Sequence, residues 1–311
     1  MKKGKAFEII VKRIFIRIGF SEVYSDGLYV YNGTAGQMIQ GLGNSHNADV
    51  LLEPLVQTPF YSQTRLLIEC KDYKDKVGLN IVRGILGLRE DINHFEIVDN
   101  NILQERRKQN RKVINNCPHA RYTYQVAIAS TSGFSTYAQE FAATHRISLI
   151  EFNKMPFWNK LMNLIGEKGD ADIEEEESKK NVDKISSHMA VAITNMGQLL
   201  FLYCQSGMVD FPADEYDILW RNKNEPWTLR CGDKEYSFQL PEYIIESWIN
   251  YSENEIEMKK KVIENKSTFF SNMIVYYCCD QKPVIKMISI DFEKLKEAKK
   301  KLNEIANGND K

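Results

Sequence analysis

Leu66-Leu67-Ile68-Glu69-Cys70-Lys71 is the stretch on which the reading of this chain turns. An apolar run without glycine or proline has the composition of a buried strand. It ends in an acid, a small residue and a base. Side chains alternate along a strand, so Glu69 and Lys71 point to one face, about 6–7 Å apart, and Cys70 points to the other. Two opposite charges on one face of a buried strand need a use or a partner. Upstream, Asn47-Ala48-Asp49-Val50-Leu51-Leu52 opens a second apolar run, again with an acid at its mouth.

Acid, strand, return strand and acid-x-lysine make the layout of a divalent-metal phosphodiesterase site. Asp49 followed by Glu69-Cys70-Lys71 resembles the PD-(D/E)XK nuclease signature. Two flanking matches join it. Past Asp72-Tyr73-Lys74, the run Val77-Gly78-Leu79-Asn80-Ile81-Val82-Arg83-Gly84-Ile85-Leu86-Gly87 is similar to the helix after the signature in Mrr-like restriction endonucleases. Val126 to Phe134, Ala138 to Ala143 and Ile147-Ser148-Leu149-Ile150 resemble that family's strand-helix-strand ending. The resemblance covers about residues 4–152. One departure is that many Mrr-like proteins carry glutamine where Glu69 stands; the acid is the commoner form across the wider superfamily. The resemblance implies an α/β fold with a restriction-endonuclease-like mixed central sheet flanked by helices. It also implies a Mg²⁺-dependent DNA endonuclease, with Mn²⁺ as a substitute metal, working in prokaryotic restriction or anti-phage defence.

The chemistry assigns roles. Phosphodiester hydrolysis needs charge neutralised on the phosphoryl oxygens and a water made nucleophilic, and carboxylate-held Mg²⁺ with open water positions meets both needs. Asp49 and Glu69 are the expected direct ligands, with the Cys70 carbonyl as a third. The Cys70 thiol, on the other face with no histidine beside it, is a packing group. Lys71 orients or deprotonates the attacking water; because Asp49 and Glu69 raise its pKa, positioning is the safer role. The resemblance turns Glu8 toward the metal site, whereas by itself Glu8 reads as a solvated acid at the edge of a helix. Lys74 and Arg83 lie just past the signature as candidate phosphate contacts. Arg106, Arg107, Lys108 and Arg111 lead a basic run over 104–121, which reads as a phosphate-tracking patch or as a solvated helix face. His46, three residues before Asp49, either touches a phosphate or shapes a loop.

The rest of the chain sets the frame. Its 311 residues are long enough for two domains. A formal net charge of −1 excludes a polycation, so contact with DNA must come from local patches. No apolar run approaches the roughly 20 residues of a membrane span. Six scattered cysteines without a C-x-x-C pair argue against a zinc site and for reduced thiols in the cytoplasm. Residues 1–165 read as the nuclease domain, alternating helices and strands: helix 4–19, strands at 49–55, 63–71, 122–130 and 147–152, helices at 79–94, 134–145 and 155–165. The glycines of 33–46 suggest a mobile loop. Residues 166–187, with Glu174-Glu175-Glu176-Glu177, read as a charged linker.

Residues 188–311 read as a smaller α+β domain for regulation, recognition or oligomerisation. It has hairpins around Asn195-Met196-Gly197 and Cys231-Gly232-Asp233, a helix from 241 to 266 with a break near 250–254, two strands near 272–290 and a closing lysine-rich helix. A two-strand cut needs two sites, so a homodimer or higher oligomer is expected, as is a protein partner or effector through 188–311. Two alternatives stay open. One is a junction-resolving or repair nuclease. The other is a non-catalytic effector-sensing or binding protein on a nuclease fold, against which the complete Asp49, Glu69 and Lys71 set argues.

Overall fold

Helix α1 (Lys5–Ile18) forms because Phe7, Ile10, Val11, Ile14, Phe15 and Ile18 recur at helical spacing, and all six are buried. Gly19 ends it at φ 117°, a left-handed conformation open to glycine. This is a computed structural model, and it describes residues 5–27, 29–34, 36–57, 63–95, 104, 108, 122–165, 176–219, 226–249, 252–280 and 282–308.

After the short β1 (Ser21–Glu22), strands β2 (Val30–Gly33), β3 (Gly36–Gln40) and β4 (Ser45–Asn47) build a small antiparallel sheet. The mobile loop expected over 33–46 is therefore an ordered hairpin ladder. Its last turn is pinned to a helix by Asp91, which accepts from the Gly43 N–H at 2.7 Å and meets His46 Nε2 at 2.7 Å. Strands β5 (Val50–Glu53), β6 (Gln63–Lys71), β7 (Tyr122–Ser130) and β8 (Ser148–Glu151) then join β1 in a five-stranded sheet, ordered β1-β5-β6-β7-β8. β1, β5 and β6 pair antiparallel, and β6, β7 and β8 pair parallel, so the sheet is mixed.

Period-two alternation assigns its faces. Ile68, Cys70, Ala127 and Ala129 meet α1 on one side. Leu67, Val126 and Ile128 meet α2 (Leu79–His94) and α3 (Thr136–Thr144) on the other. The result is a mixed α/β layer. At the far end of β6, buried Arg65 bonds Glu53 at 2.7 Å and the Tyr124 hydroxyl at 3.2 Å, and lies 3.4 Å from the Tyr122 ring centre.

After a 3-10 turn (Phe152–Lys154) and α4 (Trp158–Ile165) comes a correction to the linker expected over 166–187. Within the described part, Glu176–Ser186 is a helix, α5, docked on α1. Val182 and Ile185, three residues apart, supply the apolar contact. Arg13 holds both oxygens of Asp183, at 2.7 and 2.8 Å, and Arg17 pairs with the same carboxylate. The bulk composition of the run hid this stripe. Residues 166–175 lie outside the described part.

The remaining strands are β9 (Met189–Thr194), β10 (Leu199–Cys204), β11 (Glu215–Leu219), β12 (Trp227–Cys231), β13 (Lys234–Phe238), β14 (Asn272–Cys279) and β15 (Lys282–Ile290). They close into a seven-stranded barrel in the order β10-β13-β12-β11-β15-β14-β9. Helices α6 (Glu242–Ile249), α7 (Glu255–Phe269) and α8 (Phe292–Gly308) accompany it. The break near 250–254 separates α6 from α7, and the Asn254 side chain caps α7, accepting from the Ile256 N–H at 2.9 Å. The α+β expectation for 188–311 thus takes a sharper form. Local hairpins are present, but closure depends on β11 pairing parallel with β15 and on β14 returning to β9.

The two halves share one core. Phe201 of β10 sits 5.4 Å from the Phe15 ring, 5.5 Å from Phe152 and 6.3 Å from Phe157. No helix among the described residues is long and apolar enough to cross a membrane.

Candidate active site

Asp49 stands at the mouth of β5, and its Oδ2 accepts the Cys70 N–H at 2.8 Å. That bond ties the acid of one strand to the backbone between the acid and the lysine of the next. Glu69 and Lys71 share a face of β6 and form a contact ion pair in which each side chain is 18% exposed. The Asn47 amide donates to Asp49 Oδ1 at 3.3 Å. Asp49 and Glu69 thus stand together at one end of the interior strands β5 and β6, while Cys70 points back into the α1 core with its side chain buried.

Glu8, on α1, belongs to the same electrostatic group. Burial pushes its carboxyl up to about 7, helped by the charges of Asp49 and Glu69 and opposed by Lys5 and Lys71. Asp49 is pushed up to about 6 by burial and by Glu69; the Cys70 N–H and Lys71 pull it back. For Lys71, burial favours the neutral amine. The hydrogen bond it donates to Glu69 and the charges of Glu69 and Asp49 outweigh burial, so its pKa is raised and it stays an ammonium. Burial lifts the Cys70 thiol well above its ordinary value, which keeps it inert as a nucleophile.

Three carboxylates in mutual repulsion around one ammonium make a site that gains from a further cation. Among the described residues, no three His, Cys, Asp or Glu side chains form a ready-made cage. The candidate oxygen donors are the carboxylates of Asp49 and Glu69 and the backbone carbonyl of Cys70, whose N–H Asp49 accepts. A set of few carboxylates completed by water fits Mg²⁺, which keeps several waters and takes one or two carboxylates.

The other sequence candidates scatter. Lys74 is exposed on the loop leaving β6. Arg83 lies 5.8 Å over the Phe141 ring, so its guanidinium is directed at α3. Arg106, Arg107 and Arg111 lie outside the described residues, and Lys108 is exposed. His46 is held by Asp91, in keeping with the turn-shaping role.

A clasp beside the site escaped the sequence reading. Thr131 Oγ1 donates to Asp72 Oδ1 at 2.8 Å, Ser132 Oγ donates to the Asp75 carbonyl at 2.7 Å, and the Val77 N–H donates to the Gly133 carbonyl at 2.9 Å. These bonds fix the loop after Lys71 to the loop after β7. The available signal was the Ser130-Thr131-Ser132-Gly133 cluster at the end of a strand, since Ser and Thr bond nearby backbone.

No family model matches the chain, and no curated protein matches it. Among solved structures it is similar to that of a protein of unknown function, AF1548, at 16% identity and a TM-score of 0.30, over 49% of this chain and 60% of that one.

Proposed function

We propose that this chain is a Mg²⁺-dependent DNA endonuclease whose first half has the PD-(D/E)XK, restriction-endonuclease-like architecture. The observation that carries the reading is the gathering of Glu8, Asp49 and Glu69 around Lys71 at one end of strands β5 and β6, with Glu8 and Asp49 raised to about 7 and about 6. Perturbed acids grouped with a base are what a hydrolytic site requires. Asp49, Glu69 and the Cys70 carbonyl would hold the ion. When bound, Mg²⁺ supplies charge neutralisation at the scissile phosphate and a polarised water. Lys71, held protonated by its acidic neighbours, orients the attacking water and offsets negative charge in the transition state. Glu8, ionising near neutral pH, is suited to accept the proton that water gives up. The Asp49 hydrogen bond to the Cys70 N–H keeps the two strands in register for this work. Restriction or anti-phage defence is the setting that the family resemblance suggests, and a dimer is the simplest way to cut two strands.

The test is plasmid cleavage with Mg²⁺ or with chelator, for the wild type, Glu69→Ala and Lys71→Met. The proposal expects metal-dependent nicking or linearisation by the wild type and a loss of at least about a hundredfold in each variant. Retained cleavage in either variant, or cleavage insensitive to chelator, would overturn the assignment.

A further inference from the structure

A cavity of about 570 Å³ opens at the seam between the halves, away from the carboxylate site. Its walls come from α1, α5 and the turn joining β14 to β15. The volume lies within the range of small-molecule sites, and seams between structural units are where such sites concentrate. The seam is closely fitted. A Cβ on Gly19 would stand 2.9 Å from Pro283 Cβ, so glycine is needed there for space as well as for its φ of 117°.

The lining has two characters. Ile16, Met208 and Pro283 give it apolar surface, and Ile16 and Met208 are more than a third exposed to solvent. Four cationic side chains, Lys12, Arg13, Arg17 and Lys179, face two carboxylates, Asp183 and Asp280. Arg13 and Arg17 share the single carboxylate of Asp183. The Arg17 side chain lines the cavity and stays half exposed. Guanidinium is the side-chain group best shaped to fork onto a phosphate or carboxylate.

We propose that this cavity binds a small organic anion with an apolar body, a class for which mononucleotides serve as probes, with the anionic group on Arg17 and the body against Ile16, Met208 and Pro283. Arg17 and Glu8 stand on the same helix, nine residues or about 14 Å apart. A ligand that draws Arg17 from Asp183 would loosen α5 from α1 and so act on the helix that carries Glu8. The occupancy of the cavity stands apart from the nuclease reading.

The experiment is calorimetric titration of the full chain without DNA or metal, using AMP, ATP, inorganic phosphate and adenosine as probes. AMP or ATP should bind at micromolar to submillimolar concentration, and phosphate and adenosine at least about tenfold more weakly, since each carries half of the recognition. Arg17→Gln, which can still bond Asp183, should weaken AMP by about tenfold or more. Met208→Trp fills the cavity from an exposed loop position without touching a charge, and should also abolish binding. Absence of heat with AMP and ATP at millimolar concentration overturns the proposal. So does adenosine binding as tightly as AMP, or AMP binding unchanged in both variants. Because no cleavage is measured, failure here leaves the carboxylate site unjudged, and failure of cleavage leaves the cavity unjudged.

Discussion

Asp49→Asn separates the electrostatics of the carboxylate site from its packing. Asparagine keeps the size of the side chain and an oxygen able to accept the Cys70 N–H that Asp49 accepts at 2.8 Å. What it removes is one negative charge. In the wild type Asp49 is raised from 3.8 to about 6, and Glu8 from 4.5 to about 7. An acid whose folded value exceeds its unfolded value favours the folded state when protonated. Its contribution is full below the unfolded pKa, near pH 4, and is lost as pH rises through 6 and 7. At 1.36 kcal/mol per unit, the Asp49 shift would correspond to about 3 kcal/mol if unscreened. Both groups reach solvent, and screening lowers the figure to about 1 kcal/mol.

The metal-free variant should therefore be more stable than the wild type at pH 8 by about 1 kcal/mol and nearly equal to it at pH 4. Mg²⁺ reverses the order. At ten times its Kd it stabilises the wild type by about 1.4 kcal/mol, and it should lose most of that effect in the variant. The assay is urea unfolding at pH 4 and pH 8, with MgCl₂ or with EDTA. A variant less stable than the wild type at pH 8 in EDTA would refute the repulsion on which the site rests. So would an equal Mg²⁺ gain in both proteins.

Two further changes probe the frame around the site. Phe201→Ala removes a ring that is 1% exposed and packed against Phe15, Phe152 and Phe157; it should cost about 3–5 kcal/mol and shift one common transition seen by both tryptophan fluorescence and far-UV circular dichroism. Separate transitions, with only one of them moved, would mean that the halves fold independently. Arg65→Met takes the cation from Glu53 and the Tyr124 hydroxyl; because Glu53 keeps some access to water, a loss of about 2–3 kcal/mol in urea unfolding is expected, and a neutral result would mark the network as replaceable packing.

The arrangement of charges at the end of β6 was legible in the sequence because its determinants are local. Strand alternation alone places Glu69 and Lys71 together and turns Cys70 away, and the structure has that arrangement. The helical spacing of Phe7 to Ile18 and the strand composition of 63–71 and 122–130 were equally local, and those elements fall where the patterns put them. What stayed hidden depends on partners distant in sequence. Val182 and Ile185 are two apolar residues in a run dominated by charge, and they matter only because α1 offers them a face and Asp183 two arginines. β11 is a short strand whose register with β15, Glu215 against Ser289, closes the barrel from far along the chain. The Phe141 ring 5.8 Å beneath the Arg83 guanidinium was likewise out of reach of any local pattern. In each case a nearby pattern was ambiguous, and a long-range contact resolved it.

Helix α1 makes the relation between the halves a physical one. A surface helix of an autonomous domain keeps a broad polar face in water. In α1 only Lys5, Ile16 and Arg17 are exposed, and the helix touches β5 and β6 of the sheet, α5, and β9 and β14 of the barrel. Phe15 packs on Phe20 and Phe201, and Phe20 on Tyr276, so sheet, helix and barrel form one contiguous cluster. Removing residues 166–311 would bare that surface, and an exposed apolar patch of this kind favours aggregation over an active fragment. The same geometry bears on control. Glu8 lies at the carboxylate end of α1, and Arg17 lies at the barrel end. A shift of the barrel against α5 therefore moves the helix that carries Glu8 through packed side chains, with no need for a flexible tether. The barrel is in this sense a wall of the first half, and a shift in it has a direct mechanical route to the carboxylate cluster.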